Sequence, residues 1–361
     1  MSLELENVTL TVDGRPHLYE TNLTLDKGSM NVLLGPTLSG KTTLMRIMAG
    51  LDVPTSGKII WNGKDVTGMR VQDRHIAMVY QQFINYPSMS VYENIASPLR
   101  LMKKTAKEID AAVRKTAEIV KMVDMLDRKP LELSGGQQQR CALARALVKG
   151  SGLVLLDEPL ANLDYKLREE LRAEIPKMFE ESGAIFVYAT TEPEEALLLG
   201  GNAATLFEGR ITQFDKTSSV YHHPNNMTTA RVFSNPPMNF LQISKTGNKL
   251  IFGEGQSIQL AAGDSLSNLT DGRYVAGFRP NHLELKKSST TSMVFSAHLD
   301  VTEFTGAETF LHMKHAGDNW VGLVHGVHDL ALDQDLSVYL DPKHIYIFAE
   351  DGALIAPASY A

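Results

Sequence analysis

Met30 to Leu34 is a short apolar run, and it leads straight into Gly35 to Thr42, GPTLSGKT. The octet fits G-x-x-x-x-G-K-[ST], and the residues after it have helical character as far as Ala49, with Gly50 suited to the position just past a helix end. A buried strand, a glycine-rich loop and a helix in that order demand an α/β sheet with the loop at the strand's carboxyl end. Backbone N–H groups in such a loop, with the helix N-terminus behind them, bind phosphate oxygens. Lys41 is placed to reach β- and γ-phosphates, and Thr42 to ligate Mg²⁺. The competing reading is a chance glycine-rich turn, which the strand–loop–helix context disfavours.

The rest of the first two thirds keeps the same alternation. Leu3 to Val12 and Asn22 to Asp26 alternate with period two, and Asp13-Gly14 marks a turn between them. Ile76 to Tyr80 and Leu153 to Leu156 read as buried strands. Thr105 and Glu108 have the spacing of a capping box, and Ile109, Val113, Val120 and Val123 follow on one expected helix face. Leu167, Leu171, Ile175 and Met178 make a second stripe. The composition shifts near FSNPPMNF, where Pro236-Pro237 can continue neither a helix nor a central strand. Short strands follow: Lys249 to Phe252, Tyr274 to Phe278, Phe295 to Val301, Thr309 to Met313, Leu336 to Leu340 and Ile345 to Phe348. The expected organisation is an α/β domain over 1–235, with a helical insert at about 84–150, and a small all-β barrel domain over 236–361.

Two further motifs carry chemistry. Leu153 to Pro159, LVLLDEP, is an apolar strand ending in two acids. Asp157 is placed to hold Mg²⁺, and Glu158 to orient or deprotonate a water. Alone this is an ordinary strand end; downstream of a phosphate loop it is a second element of one site. Leu133, Ser134, Gly135, Gly136 and Gln137 open LSGGQQQR. Ser134 suits an N-cap, and the glycines suit a second anion-binding helix terminus. One nucleotide needs only one such terminus. A second suggests that two chains share nucleotides, each lending this loop to the other.

The composition bounds the possibilities. A 361-residue chain with 43% hydrophobic and 21% charged residues can build two or three globular domains. A net charge of −7 argues against a nucleic-acid partner. Cys141 is the single cysteine, so no internal disulfide forms, which fits a reducing cytosolic setting. It reads as core packing. The beginning of the chain reads as a strand and not as a signal peptide, and no apolar run approaches the roughly 20 residues that span a bilayer. His222-His223 reads as an exposed helix end and the acid-rich stretch after Arg168 as a solvated helix face. The 11 histidines show no zinc spacing.

Taken together, the three motifs in this order resemble the ATP-binding cassette ATPases. The resemblance implies further roles. Gln81 in MVYQQF is similar to the Q-loop glutamine that contacts Mg²⁺ or water, and Leu160 to Asp164 is similar to the D-loop. SNPPMNFL, GFRPNHLEL and VTEFTGAET resemble the linker and regulatory barrel, of OB/TOBE type, in carbohydrate-importer ATPases of the maltose and glycerol-phosphate kind. Longer stretches around Gly35, Gln81 and Thr190 resemble the glycerol importers that use two different ATPase subunits. What the resemblance implies is a P-loop ABC ATPase binding Mg²⁺ and ATP through Gly35, Pro36, Thr37, Leu38, Ser39, Gly40, Lys41, Thr42 and Thr43, with Thr42, Gln81 and Asp157 at the metal. It implies two membrane-spanning permease subunits, a second and non-identical ATPase, a periplasmic solute-binding protein acting indirectly, and a peripheral place on the cytoplasmic face of the bacterial inner membrane. The partner surface is expected at Gln82 to Asn94.

The sequence departs from the family twice. Aligned on ENVT, Val12 stands where the family carries an aromatic that stacks on adenine, and Tyr19 has the wrong offset to replace it. After the strand Ala184 to Ala189 the family has Thr-His-Asp, whereas this chain has Thr190-Thr191-Glu192. Thr191 thus replaces the histidine at the γ-phosphate. Its bland reading is a helix N-cap, in a box with Glu194 and with Pro193 in the first turn. The functional reading is a weakened site, and with it an alternative in which the chain is a nearly inactive ATP-binding half of a heterodimer. A cassette acting on nucleic acid or ribosomes is disfavoured, because the chain has neither a coiled-coil insertion nor a duplicated cassette.

Overall fold

The structure, a computed structural model, describes residues 2–360 except 83, 162–164, 253–255, 261–264 and 290. The last three residues of the expected D-loop therefore lie outside the described residues, as do the side chains of Leu167 and Met178 from the expected helix stripe. The chain divides into two compact units, Met1–Thr217 and Ser218–Ala361.

The first unit holds two sheets. β1 (Ser2–Val12), β2 (Arg15–Asp26), β4 (Ser56–Trp61) and β5 (Lys64–Asp65) form an antiparallel sheet in the order β2-β1-β4-β5. Asp13 and Gly14 turn β1 into β2, both with positive φ, as the sequence signal requires. The second sheet contains β3 (Met30–Leu34), β6 (Ile76–Val79), β7 (Leu153–Asp157), β8 (Ile185–Thr190), β9 (Asn202–Phe207) and β10 (Arg210–Lys216), in the order β10-β9-β3-β8-β7-β6. Its strands pair in parallel except at β10. β3, β7 and β8 are buried at every position. Continuous apolar runs of this kind belong to sheets covered on both faces.

Helix α1 (Lys41–Ala49) follows β3, and Gly50 ends it in the left-handed conformation. Leu44, Met45, Ile47 and Met48 are at most 1% exposed in a core between the two sheets. Each such side chain contributes roughly 1.5–3 kcal/mol through burial. Leu44→Ala would cost roughly 2–5 kcal/mol and loosen the helix that carries the phosphate loop.

Three helices form a separate cluster: α2 (Val91–Leu101), α3 (Ala106–Ile119) and α4 (Gly135–Leu147). The Thr105/Glu108 capping box is present, and Ile109, Val113 and Val120 are buried. Val123 is not on that face. It is 43% exposed, because α3 stops at Ile119 and Lys121 turns to positive φ, which breaks the 3.6-residue period. α5 (Tyr165–Ser182) and α6 (Pro193–Leu199) flank β8 in sequence, and Leu171 and Ile175 of α5 pack under the parallel sheet.

α7 (Thr217–His222) begins at the last residue of the first unit, and α8 (Met227–Val232) follows in the second. The remaining strands are β11 (Asn239–Thr246), β12 (Lys249–Phe252), β13 (Gln256–Gln259), β14 (Gly272–Phe278), β15 (Leu283–Glu284), β16 (Met293–Phe304), β17 (Glu308–His315), β18 (Asp318–His325), β19 (Gln334–Leu340), β20 (Tyr346–Phe348) and β21 (Leu354–Ala356). They build two antiparallel sheets, β13-β12-β11-β14-β20-β21 and β15-β19-β16-β17-β18. The Asn239 amide joins them. It donates to the Val321 carbonyl at 2.8 Å and accepts from the Val321 N–H at 2.9 Å. One core fills the barrel-like interior, with Trp320 packed edge-on against Phe278 and Phe295.

Candidate functional site

Strand β3 lies between β8 and β9, so the loop after Leu34 leaves from the middle of the parallel sheet. The loop's shape depends on its glycines. A Cβ on Gly35 would collide with the Leu206 carbonyl and the Ser39 hydroxyl. Gly40 caps α1 at φ 104°, a conformation open to glycine. Leu38 also has positive φ and is 95% exposed at the loop's tip.

The charged groups converge here. Lys41 is 4% exposed. Its ammonium donates to the Gly35 carbonyl at 2.8 Å and the Pro36 carbonyl at 3.1 Å, and pairs with Glu158 Oε1 at 3.2 Å. Gln81 Nε2 donates to Glu158 Oε2 at 3.1 Å. The Thr42 hydroxyl donates to Asp157 Oδ1 at 3.1 Å. Residues far apart in sequence, from α1 after β3 and from the ends of β6 and β7, thus meet at the carboxyl end of the parallel sheet. Burial holds the Lys41 ammonium below the ordinary lysine range, with the carboxylates of Glu158 and Asp157 acting against that. Burial also raises Asp157, against the stabilising hydrogen bond from Thr42. Glu158 sits at φ 44°, and its N–H donates to the Ala189 carbonyl at 3.1 Å. Positive φ is uncommon for a non-glycine residue and marks a constrained position.

A cavity of about 620 Å³ opens over these groups. Thr37, Leu38, Ser39, Gly40, Lys41, Thr42, Thr43, Gln81 and Glu158 line it, together with Arg15, Pro16, His17, Tyr19, Glu208 and Gly209. Its volume falls in the range of small-molecule sites. Asp157 is reached through Thr42, and Gly35 and Pro36 act through their carbonyls. Val12 does not figure among the described residues lining the cavity; it ends β1, 41% exposed. Sequence reasoning missed the contribution of the β9–β10 hairpin. Glu208 and Gly209 turn it with two positive φ values. The Gly209 N–H donates to the Ser39 carbonyl at 3.0 Å, and the Gly209 carbonyl accepts from the Tyr19 N–H at 2.9 Å. The hairpin tip is thereby clamped between the loop and β2. The signal was an acid–glycine pair between two apolar runs.

The strand–helix junction after β8 is built differently from the capping box expected at Thr191. The N-cap of α6 is Glu192, with no side-chain cap bond. Thr191 is exposed and caps nothing. Thr190 does the structural work. Its hydroxyl donates to Glu195 Oε2 at 2.6 Å and accepts from the Glu192 N–H at 3.0 Å. The Tyr188 hydroxyl also donates to Glu195 Oε2, at 3.0 Å. Arg168 and Arg172 of α5 hold the Glu192 carboxylate at 2.6 and 2.7 Å. Pro193 still occupies the first helical position, as expected. The hydrogen-bonding role expected of Thr191 falls instead to the buried Thr190, which bonds both Glu195 and the Glu192 N–H.

Ser134 caps α4 in a capping box with Gln137, as its sequence position suggests. Leu133 is buried below the turn. Gly135 is exposed, and a Cβ there would meet nothing within 4 Å, so no contact inside this chain requires a glycine. Cys141 is buried, and burial pushes its thiol up to about 11, which makes it inert. No group of His, Cys, Asp and Glu residues among the described residues forms a metal cluster.

Residues 18–161 match the family described as ABC transporter. The chain is 37% identical over 345 residues to the trehalose/maltose import ATP-binding protein MalK of Thermococcus litoralis, covering 91% of this chain and 92% of that protein. It is 34% identical over 359 residues to the sn-glycerol-3-phosphate import ATP-binding protein UgpC of Psychromonas ingrahamii, covering 97% and 94%. Among solved structures, a dimeric bacterial ABC transporter cassette matches 60% of this chain and 98% of its own, at 29% identity and a TM-score of 0.54.

Proposed function

The chain belongs to the ABC transporter family as an importer-type ATPase subunit, and from that premise we propose that it couples Mg-ATP binding and hydrolysis to uptake of glycerol or a related polyol or sugar. One observation carries the reading: Lys41, Thr42, Asp157, Glu158 and Gln81 converge on one cavity at the end of β3.

The chemistry follows from those groups. Loop N–H groups and Lys41 bind and orient the β- and γ-phosphates. The oxygen donors of Thr42, Asp157 and Gln81 suit Mg²⁺, which would neutralise charge on the phosphates. Glu158 holds a proton acceptor beside the phosphate loop and orients the attacking water. The same carboxylate pairs with Lys41, so phosphate binding exchanges one anion for another at the ammonium.

Gly135 supports a shared site. Its open approach, beside the exposed Ser134, leaves room for a phosphate held by another cassette. Permease subunits would dock in a second cavity of about 570 Å³, lined in part by Tyr80, Ile84, Tyr86, Leu101, Met102 and Arg145. Ile84 is 56% exposed and Leu101 86% exposed, an apolar surface that a partner would cover. No helix among the described residues is long and apolar enough to cross a membrane, so these contacts would hold the chain at the cytoplasmic face.

A second reading, in which the chain's own site is weak and a non-identical ATPase supplies the strong one, is favoured by Thr191. A threonine hydroxyl is too short to stand in for an imidazole, and the side chain is exposed with no cap to form. The experiment is ATP turnover by the purified chain, alone and with its permeases, combined with identification of the ATPases that co-purify. Slow turnover alone and a second cassette in the complex support heterodimeric coupling. Full turnover by this chain alone would overturn that second reading. Absence of any Mg-ATP hydrolysis by the complex would overturn the first.

A further inference from the structure

Val12 cannot stack a base, yet one flank of the nucleotide cavity is built from groups suited to one. Tyr19 of β2 lines the cavity. Its ring carries the Arg210 guanidinium at 3.5 Å from the centroid, and Arg210 does not itself line the cavity. The guanidinium therefore backs the ring and leaves a tyrosine surface toward the open space. The ring's backbone is fixed too: its N–H donates to the Gly209 carbonyl, and the Gly209 N–H donates to the Ser39 carbonyl of the phosphate loop. A Cβ on Gly209 would lie 2.7 Å from the His17 carbonyl, so the hairpin tip can approach β2 this closely only as glycine. The ring is thus held in register with the loop that binds phosphate.

We propose that the base of the bound nucleotide is recognised by Tyr19, backed by Arg210, with His17 and Glu208 at its polar edges, in place of an aromatic at position 12. The proposal rests on the reading of this cavity as the ATP site. A tyrosine stacked on one face by a guanidinium and fixed by its backbone is a pre-organised platform, and base–aromatic stacking is tolerant of geometry because every base presents a π-face. Arg15 and Pro16 line the same cavity. The β1–β2 turn then has no need of an aromatic, and Val12 stays outside the cavity at no loss to binding.

The experiment compares two probes on the full chain: ATP, which has a base, and inorganic tripolyphosphate, which has only the phosphates. Tyr19→Ala should weaken ATP about tenfold, or about 1.4 kcal/mol, while leaving tripolyphosphate affinity within about twofold. Tyr19→Phe should retain most of the ATP affinity, because the π-face survives. Arg210→Gln should give a smaller loss for ATP and none for tripolyphosphate. Equal losses for both probes in Tyr19→Ala would mean that the residue only supports the phosphate loop, and would overturn the proposal. So would unchanged ATP affinity in Tyr19→Ala. Should Tyr19→Ala fold poorly, the Phe and Gln variants decide by the same two-probe ratio. Lys41→Ala separates the proposal from its premise: it must weaken both probes, and unchanged affinity for both would overturn the cavity's assignment and the base platform with it.

Discussion

Glu158→Gln should tighten Mg-ATP binding while abolishing hydrolysis at this site. The carboxylate lies 3.2 Å from the Lys41 ammonium, with 20% of its side chain and 4% of the lysine's exposed. At an effective dielectric constant of about 20 the bare attraction at that distance is about 5 kcal/mol. Most of it is offset by the cost of desolvating both groups, and charge-assisted hydrogen bonds of this kind contribute about 1.5–3 kcal/mol net. An arriving phosphate must displace the carboxylate, but it replaces most of what is lost by binding the same ammonium. The residual cost removed by a neutral amide is about 1 kcal/mol, or roughly a fivefold gain in affinity. One effect opposes the gain: Glu158 helps to keep buried Lys41 protonated, so the measurement belongs at neutral pH or below. Calorimetric titration with Mg-ATP reads the affinity, and phosphate release reads hydrolysis, which should fall by about 10² or more with the loss of the proton acceptor. Weaker ATP binding by the Gln variant at neutral pH would refute the claim that Glu158 and phosphate compete for Lys41.

Three other expectations follow from single contacts. Gly135→Asp meets no steric barrier within the chain, so it should fold normally but abolish turnover of the assembled transporter, by setting a carboxylate against a partner's phosphate; normal turnover would argue against a shared site. Thr191→His should leave thermal stability within about 0.5 kcal/mol, because Thr191 caps nothing, and should raise hydrolysis; an unchanged rate would clear Thr191 of limiting the site. In the second unit, burial holds His282 down to about 3 against an ordinary 6.5, stacked on His344 with ring centroids 3.9 Å apart. The unfolded chain binds this proton first, so stability is full above about pH 6.5 and falls as pH drops toward 3, at up to about 1.4 kcal/mol per unit; His282→Phe should flatten that slope in denaturant titrations, and an unaltered slope would contradict it.

Much of the site was legible because its chemistry is local in sequence. The phosphate loop, the Asp157-Glu158 strand end and the Ser134 cap are each defined within a few residues, and strand patterns placed them on a parallel sheet. The ends of continuous apolar runs were also readable, as at Met30–Leu34. What was not legible depends on tertiary neighbours. Thr190 and Thr191 look alike in sequence, and only the position of Glu195 decides which one makes the hydrogen bonds. Tyr19 has the wrong offset along β2, but the cavity is closed by a hairpin about 190 residues later, and that approach rests on Gly209. Val123 followed the helical period on paper, but the helix ends at Ile119, before it could carry Val123 inward. In the second unit β18 carries the buried Trp320 and went unread, because its two glycine and asparagine positions interrupt a clean alternation.

The central claim is that this cavity binds Mg-ATP through Lys41, and ligand-dependent thermal unfolding of the wild type against Lys41→Ala tests it most directly. A ligand at about 100 times its dissociation constant adds about 2.7 kcal/mol to stability, so saturating Mg-ATP should raise the wild-type midpoint by several degrees. The account predicts no such rise in Lys41→Ala at the same concentration. An equal rise in both proteins would contradict it.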